Sequence, residues 1–255
     1  RQICNLFMFP YNKKLWRRDL EEITTDWIKS YIPRLKAADL KKIIFSHKSA
    51  KKKKIGYNAN FYYPSSCGIN QVITAAATKV SENLRLKEVV KKIDLKKKIV
   101  YTKNLEIKYE KLISTIPLPD FLDIAFYNNQ TFKDYSKKLK YNSVYNMNYA
   151  LESAIENNRH WIYYPEKKFD FYRIGFYHNF GDYLTPAKDK HSAYIEISCL
   201  PKDLKEYKNK EYTNFLKTQF FNAGVYSKKN AKILFEYPLF IKYGYVIFNN
   251  TRKKM

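Results

Sequence analysis

Arg173 stands inside the apolar run FDFYRIGFYHNF, where a guanidinium is costly to bury unless an anion faces it. Its planar fork suits a carboxylate or a phosphate through two parallel hydrogen bonds. A second candidate is Tyr62 to Val72, YYPSSCGINQV, in which an aromatic pair, a proline, two serines and the Cys67–Gly68 step precede an alanine-rich segment. One reading is a tight turn whose serines cap a core helix. The other is a turn that lets backbone N–H groups approach a large anionic cofactor, because a helix start carries partial positive charge and unpaired donors. The residues of the turn leave both readings open. Trp16 could stack on a flat base or ring, although its spacing equally suits a core aromatic. No paired carboxylates, catalytic triad or metal-ligand spacing stands out, so no metal site is expected.

The remaining candidates are bland. Cys4, Cys67 and Cys199 are odd in number and lack CxxC spacing, which disfavours a disulfide scaffold or a zinc site and suits a reducing cytoplasm. His47, His160, His178 and His191 are scattered and read as surface or hydrogen-bonded core residues. The formal net charge of +24 raises nucleic acid as a partner. Lys, Asn, Ile, Tyr and Phe, which AT-rich codons encode, are however abundant throughout, and no zinc-finger, RNA-recognition or helix-turn-helix pattern accompanies the charge. Compositional drift is therefore preferred to nucleic-acid binding. The run Lys51 to Lys54 reads as a solvated loop.

The 255 residues suffice for one large domain or two ordinary ones, and 45% hydrophobic with 17% aromatic residues is far from a disordered composition. No apolar run could span a bilayer, and no signal segment opens the chain. RQICNLFMFPYNKKLW begins in mid-pattern, so a piece of a longer protein is expected.

The elements that must position these residues are legible as patterns. DLEEITTDWIKSY (19–31) reads as a helix anchored by Trp27 and Ile28 and ended by Pro33. A helix is predicted from about Ile69 to Leu84, with Val72, Ile73, Ala76, Ala77 and Val80 at helical spacing. Strands are predicted near 88–93, 97–102, 106–109 and, more apolar, Lys111–Ile116, stopped by Pro117 and Pro119. A helix at about 120–138 follows. The segments SVYNMNYALES, HWIYYP, FDFYRIGFYHNF and HSAYIEISCLP read as strands, with a helical span at 203–223 and a last strand from Ala231 to Phe248. No repeat is visible.

Taken in order, FPYNKKLW (9–16), FYYPSSCGINQV (61–72), EVVKKID (88–94), YEKLISTIPLP (109–119), HWIYYPEKKFDFYRIGF (160–176) and YGYVIFNN (243–250) resemble the FAD-dependent amine-oxidase-like flavoproteins. The branch that they resemble is the protoporphyrinogen-oxidase-like and UDP-galactopyranose-mutase-like one. The resemblance implies an α/β fold, α+β within this piece. It divides the chain into a helical substrate-side segment (1–55), part of an FAD-binding domain with a β-meander (56–117), an antiparallel substrate domain with helices (118–247), and the start of a return to the FAD-binding domain (248–255).

It also implies residue roles. Cys67 and Gly68 stand at the flavin-side turn, with Cys67 where the first of two glycines is usual, so that only Gly68 takes positive φ at no steric cost. Val90 stands beside the adenine, and Thr115 and Pro117 end the strand that reaches the cofactor. FPYNKKLW resembles the YTxKxW segment of UDP-galactopyranose mutases, matching Tyr11 and Trp16, with Asn12 where threonine is usual. Arg34 lies near a diphosphate-clamping arginine, one residue out of register, and Tyr243 and Tyr245 resemble tyrosines near phosphate. Arg173 is divided evenly between the substrate cleft and a structural carboxylate.

The dinucleotide turn GxGxxG occurs nowhere in these residues. The resemblance implies that the complete protein binds FAD and a small-molecule substrate, phosphate-bearing ligands being among the candidates, and that this piece alone binds FAD weakly or not at all. Three readings follow. The first is an oxidoreductase passing hydride from substrate to flavin, preferred because EKKFDFYRIGF is more similar to the oxidase-like members. The second is a mutase-like isomerase acting on a nucleotide sugar, and the third a basic nucleic-acid-binding module.

Overall fold

A computed structural model describes residues 2–28, 61–153, 157–250 and 252. Arg34, His47, the lysine run 51–54 and the end of the helix expected at 19–31 lie outside the described residues. Two five-stranded sheets organise the rest.

Helix α1 (Phe9–Trp16) has Pro10 in its first turn, where a missing N–H costs nothing. A helix leaves its last carbonyls without intrahelical partners. Here Asn142 of the second sheet donates to the carbonyls of Leu15 (3.0 Å) and Trp16 (2.7 Å), which pins the helix end to that sheet. The expected helix at 19–31 is a correction. Among the described residues it is a short 3₁₀ turn at Leu20–Glu22 followed by non-helical chain to Trp27, with helical geometry only at Ile28. β-Branched Ile23, Thr24 and Thr25 in succession favour extended backbone over a helix interior, and Ile23 leaves the turn in a β conformation.

Helix α2 (Asn70–Lys79) is shorter than expected, with a 3₁₀ turn at Ser81–Asn83 beyond it, and it has no buried residue. Its apolar stripe faces outward, with Val72 and Ile73 56% and 66% exposed.

The first sheet contains β1 (Lys92–Asp94), β2 (Ile99–Tyr101), β3 (Glu106–Lys108), β4 (Ala125–Tyr127) and β5 (Gln130–Thr131), in the order β3-β2-β1-β4-β5. The β1–β4 pair is parallel and the others antiparallel. The predicted meander is therefore present, while the strand expected at Lys111–Ile116 is not. That segment is unpaired among the described residues, and Ile113 is 91% exposed. Apolar composition alone does not make a strand; its N–H and C=O groups need a neighbour. The helix expected at 120–138 is also corrected. It divides into α3 (Leu118–Ile124), the β4–β5 hairpin and α4 (Lys133–Lys138). Asn128 and Asn129 break it, both at positive φ (50° and 64°), as the tight mirror-image hairpin turn requires.

The second sheet is antiparallel throughout, in the order β10-β6-β9-β8-β7: β6 (Tyr141–Ser153), β7 (Trp161–Tyr163), β8 (Arg173–Phe176), β9 (Lys190–Cys199) and β10 (Ala231–Val246). Pro238 lies in the middle of outermost β10, opposite Met147. Alternation sends Tyr145, Met147, Tyr149, Ile174, Phe176, Ile195 and Ile197 to one face, where they form the main core with Leu216 and Phe220 of α5 (Lys210–Asn222). Asn209 caps α5 by accepting from the Glu211 N–H at 2.9 Å.

At the margin of this core the rings of His178 and His191 stack at 4.3 Å, and His191 is hydrogen-bonded to the Tyr226 hydroxyl at 2.9 Å. Burial lowers both imidazole pKa values, and for His178 the charge of its neighbour adds to that, while Asp189 opposes it at His191. The native state then binds fewer protons than the unfolded chain. Stability present above about pH 6.5, the ordinary imidazole value, is lost as pH falls below it. Thermal midpoints should drop between pH 7.5 and 5.5, and more shallowly in His178→Phe, which keeps a stacked ring without a titrating group.

Candidate functional site

The face of the second sheet opposite α5 carries the polar groups. Register places Arg173, Glu196, Asn146 and Leu239 in one row, and Gly175, Tyr194, Asn148 and Tyr237 in the next. Arg173 finds the anion that its burial demands within the protein. Its Nε lies 2.6 Å and a terminal nitrogen 2.5 Å from Glu196 Oε2. Burial opposes the guanidinium charge, but Glu196 and the surrounding tyrosines outweigh it and hold Arg173 firmly protonated.

Aromatic residues close around this pair. Tyr11 from α1 meets Tyr163 edge-on at 5.4 Å and Tyr172 at 6.3 Å. The Tyr172 and Tyr245 hydroxyls are 3.1 Å apart, and Trp16 packs edge-on against Tyr245 at 5.9 Å. Trp16 is 4% exposed and donates to Asn12 Oδ1 at 3.1 Å, so it is a core residue that supports the cluster. Burial raises the pKa of Tyr11, Tyr172 and Tyr245. These phenols stay protonated near neutrality and keep an O–H to donate. Thus four predicted residues, Tyr11, Trp16, Arg173 and Tyr245, come together. Tyr243 does not join them. Its hydroxyl donates to Asp120 of α3, its ring lies 4.4 Å from that of Tyr141, and a register shift in β10 separates it from Tyr245.

The turn ahead of α2 lies against the same side of the molecule. Phe61 packs on Trp161 at 5.6 Å and Tyr63 on Phe180 at 5.3 Å, while Tyr183 donates to the Pro64 carbonyl at 2.5 Å. Trp161 in turn donates to the Tyr194 hydroxyl at 2.8 Å, beside Arg173. Both Cys67 (φ 56°) and Gly68 (φ 69°) take left-handed backbone, so the turn forms despite the missing glycine. No side chain caps α2. Left-handed geometry costs a residue with a Cβ roughly 1–2 kcal/mol, partly offset by the greater unfolded freedom of glycine. Cys67→Gly should therefore raise stability by about 0.5–1 kcal/mol, measured by urea unfolding. Val90 is partly exposed just ahead of β1, and Thr115 and Pro117 lie on the exposed segment before α3.

Sequence reasoning missed Glu196, Tyr172 and Tyr163, and met Lys14 only as the shifted lysine of the YTxKxW-like segment. Glu196 was available by the argument applied to Arg173, being the lone acid in HSAYIEISCLP. The Lys14 ammonium donates to three carbonyls of the β7–β8 loop, those of Tyr164 (2.8 Å), Glu166 (2.6 Å) and Phe171 (3.2 Å). It fastens α1 to the segment that delivers Tyr172 and Arg173. Burial lowers its pKa to about 8, against the pull of Glu166 and Asp170.

No family model matches this sequence. Among solved structures, the chain is similar to reduced UDP-galactopyranose mutase, with TM-score 0.80 and 20% identity over 99% of this chain and 54% of that one. A putative protoporphyrinogen oxidase from Exiguobacterium sp. 255-15 gives TM-score 0.51 at 10% identity, covering 69% of this chain and 40% of that one. A triple mutant of putrescine oxidase, redesigned in its cofactor binding, gives 0.50 at 12%, covering 67% and 38%. These likenesses, all at 20% identity or less, show a shared fold, and the chain spans about half (54%) of the mutase's length.

Proposed function

We propose that this chain, taking that shared fold as premise, is part of a flavin-dependent enzyme acting on a phosphate-bearing small molecule, with isomerisation of a nucleotide sugar as the best-supported reaction. The observation that carries the reading is the Arg173 cluster. A fixed guanidinium beside protonated Tyr11 and Tyr245, with edge-packed aromatics around it, offers donors to a diphosphate and aromatic surface to a base. Likeness to the mutase along nearly the whole chain favours isomerisation over oxidation, reversing the order expected from sequence.

The residues fit one side of a flavin dinucleotide. Cys67 and Gly68 would approach it through backbone at positive φ, and a Cβ on Gly68 would meet only the Tyr63 hydroxyl, at 3.8 Å. Val90, Thr115 and Pro117 would line the apolar flank. When bound, the flavin supplies the redox-capable ring at which substrate reacts. The protein's own groups bind and orient. Arg173, held by Glu196, and the phenol of Tyr245 would fix the phosphates, with buried Tyr172 positioning Tyr245 through the bond between their hydroxyls and Tyr11 at the border. The pyrophosphate-binding turn is not in these residues and has to come from further polypeptide. The outward apolar stripe of α2 and exposed Ile113 suit contact with such a segment.

The test is to incubate the complete protein, with flavin reduced, with UDP-galactopyranose and analyse the sugar by NMR. Interconversion with the furanose form is expected, and no ring contraction in either direction rejects the isomerase. The second reading is an oxidoreductase, favoured by the fold shared with the two oxidases. It calls for anaerobic bleaching of the oxidised protein by an amine or porphyrinogen substrate, and persistent colour with every such substrate counts against it.

A further inference from the structure

On the other face of the second sheet, a cleft of about 420 Å³ opens between the C-terminal end of α1 and the β7–β8 loop. Its wall residue Ile197 follows Glu196 on β9 and points to the opposite face, and neither Arg173 nor Glu196 lines the cleft. The volume lies within the range of small-molecule pockets. Pro10, Pro165, Phe169, Ile197 and Tyr207 supply apolar and aromatic wall, and Lys13, Arg17 and Lys167 stand around it.

Lysines are so common in this chain that their number decides nothing; their partners do. Asp170 is the one acid lining the cleft, and both its oxygens are engaged, one by the Tyr212 hydroxyl (2.7 Å) and the other by Gln219 Nε2 (3.3 Å). Lys14 is committed to its three carbonyls, and Lys13 to Asp19 at 3.5 Å. Among the described residues neither Arg17 nor Lys167 has a carboxylate within ion-pair distance. Arg17 is also in an unusual conformation. It takes φ 53° directly after α1, a position that favours glycine, so a guanidinium is carried at the cleft at a backbone cost. Its charge is felt by Tyr207 and Tyr212, whose rings meet edge-on at 5.2 Å.

The geometry points to a second ligand site here, taking a phosphate monoester of an aromatic alcohol, with the ring against Phe169 and Tyr207 and the phosphate on Arg17 and Lys167. It is independent of the reaction assigned to the opposite face. Titration calorimetry on the full chain at low salt tests it, with phenyl phosphate, inorganic phosphate and phenol as probes. Phenyl phosphate should bind at least tenfold more tightly than either fragment. Arg17→Gly combined with Lys167→Gln should weaken it at least tenfold without lowering the thermal midpoint, since glycine suits the backbone at 17. Arg173→Met with Glu196→Gln should leave it unchanged. The site is refuted if phenyl phosphate binds no better than phosphate, if the Arg17 and Lys167 variant binds as before, or if the Arg173 and Glu196 variant abolishes binding.

Discussion

Arg173→Ala should destabilise the protein by about 3 kcal/mol, the low end for orphaning one member of a buried ion pair, because the two side chains keep 21% and 12% exposure. The loss comes mainly from Glu196, left in a setting of phenols and apolar strands without its counter-charge. Arg173→Met combined with Glu196→Gln should recover most of it, since neither group is then charged. Urea unfolding of the two single variants and the double one measures this. Equal losses in Arg173→Ala and in the double variant would refute a pair-based origin. On the proposed function, Arg173→Ala in the complete protein should also weaken substrate binding more than flavin binding, because the guanidinium faces the tyrosine cluster. Arg173→Lys separates the two effects. It retains charge for Glu196 but not the planar fork, so stability should return further than substrate affinity.

Gly175→Ala should cost about 2–3 kcal/mol, toward the upper end for overpacking a core. A Cβ there would lie 2.1 Å from the Tyr194 ring, which occupies the space above the glycine. That ring cannot yield cheaply. Tyr194 is 5% exposed, accepts from Trp161 at 2.8 Å and packs on Tyr177 at 4.5 Å. Turning it out would break all three arrangements. Tyr194→Leu in the Gly175→Ala background should restore part of the lost stability, although the same change alone is destabilising. Additive losses in the double variant would show that the Tyr194 ring is not what excludes the methyl group.

The strands of the second sheet were legible because β-branched and aromatic residues are concentrated between turn residues, as in SVYNMNYALES and HSAYIEISCLP. The first sheet's short meander was legible for its charged turns. Lys111–Ile116 misled because an apolar run records that a segment wants cover, not that cover is present in the same chain. The helix expected at 120–138 failed at Asn128 and Asn129, whose tolerance of left-handed backbone outweighed the surrounding helix formers. At the site, Tyr11, Trp16, Arg173 and Tyr245 were each nameable from local pattern. Their convergence was not, because it depends on Asn142 and Lys14 reaching across more than a hundred residues to main-chain oxygens. Such bonds are made by common polar residues and leave no motif. The separation of Tyr243 from Tyr245 was equally hidden, since it follows from an irregularity in β10.

The outermost strand of the second sheet has one more effect. A sixteen-residue edge bearing Phe235, Tyr237 and Leu239 on its surface would ordinarily be a template for another chain to add a strand and begin a fibril. Proline at 238 offers no N–H to such a newcomer, and the register shifts on either side bend the ladder that it would have to follow. The edge thus guards the protein against self-templating while leaving its inner hydrogen bonds to β6 in place.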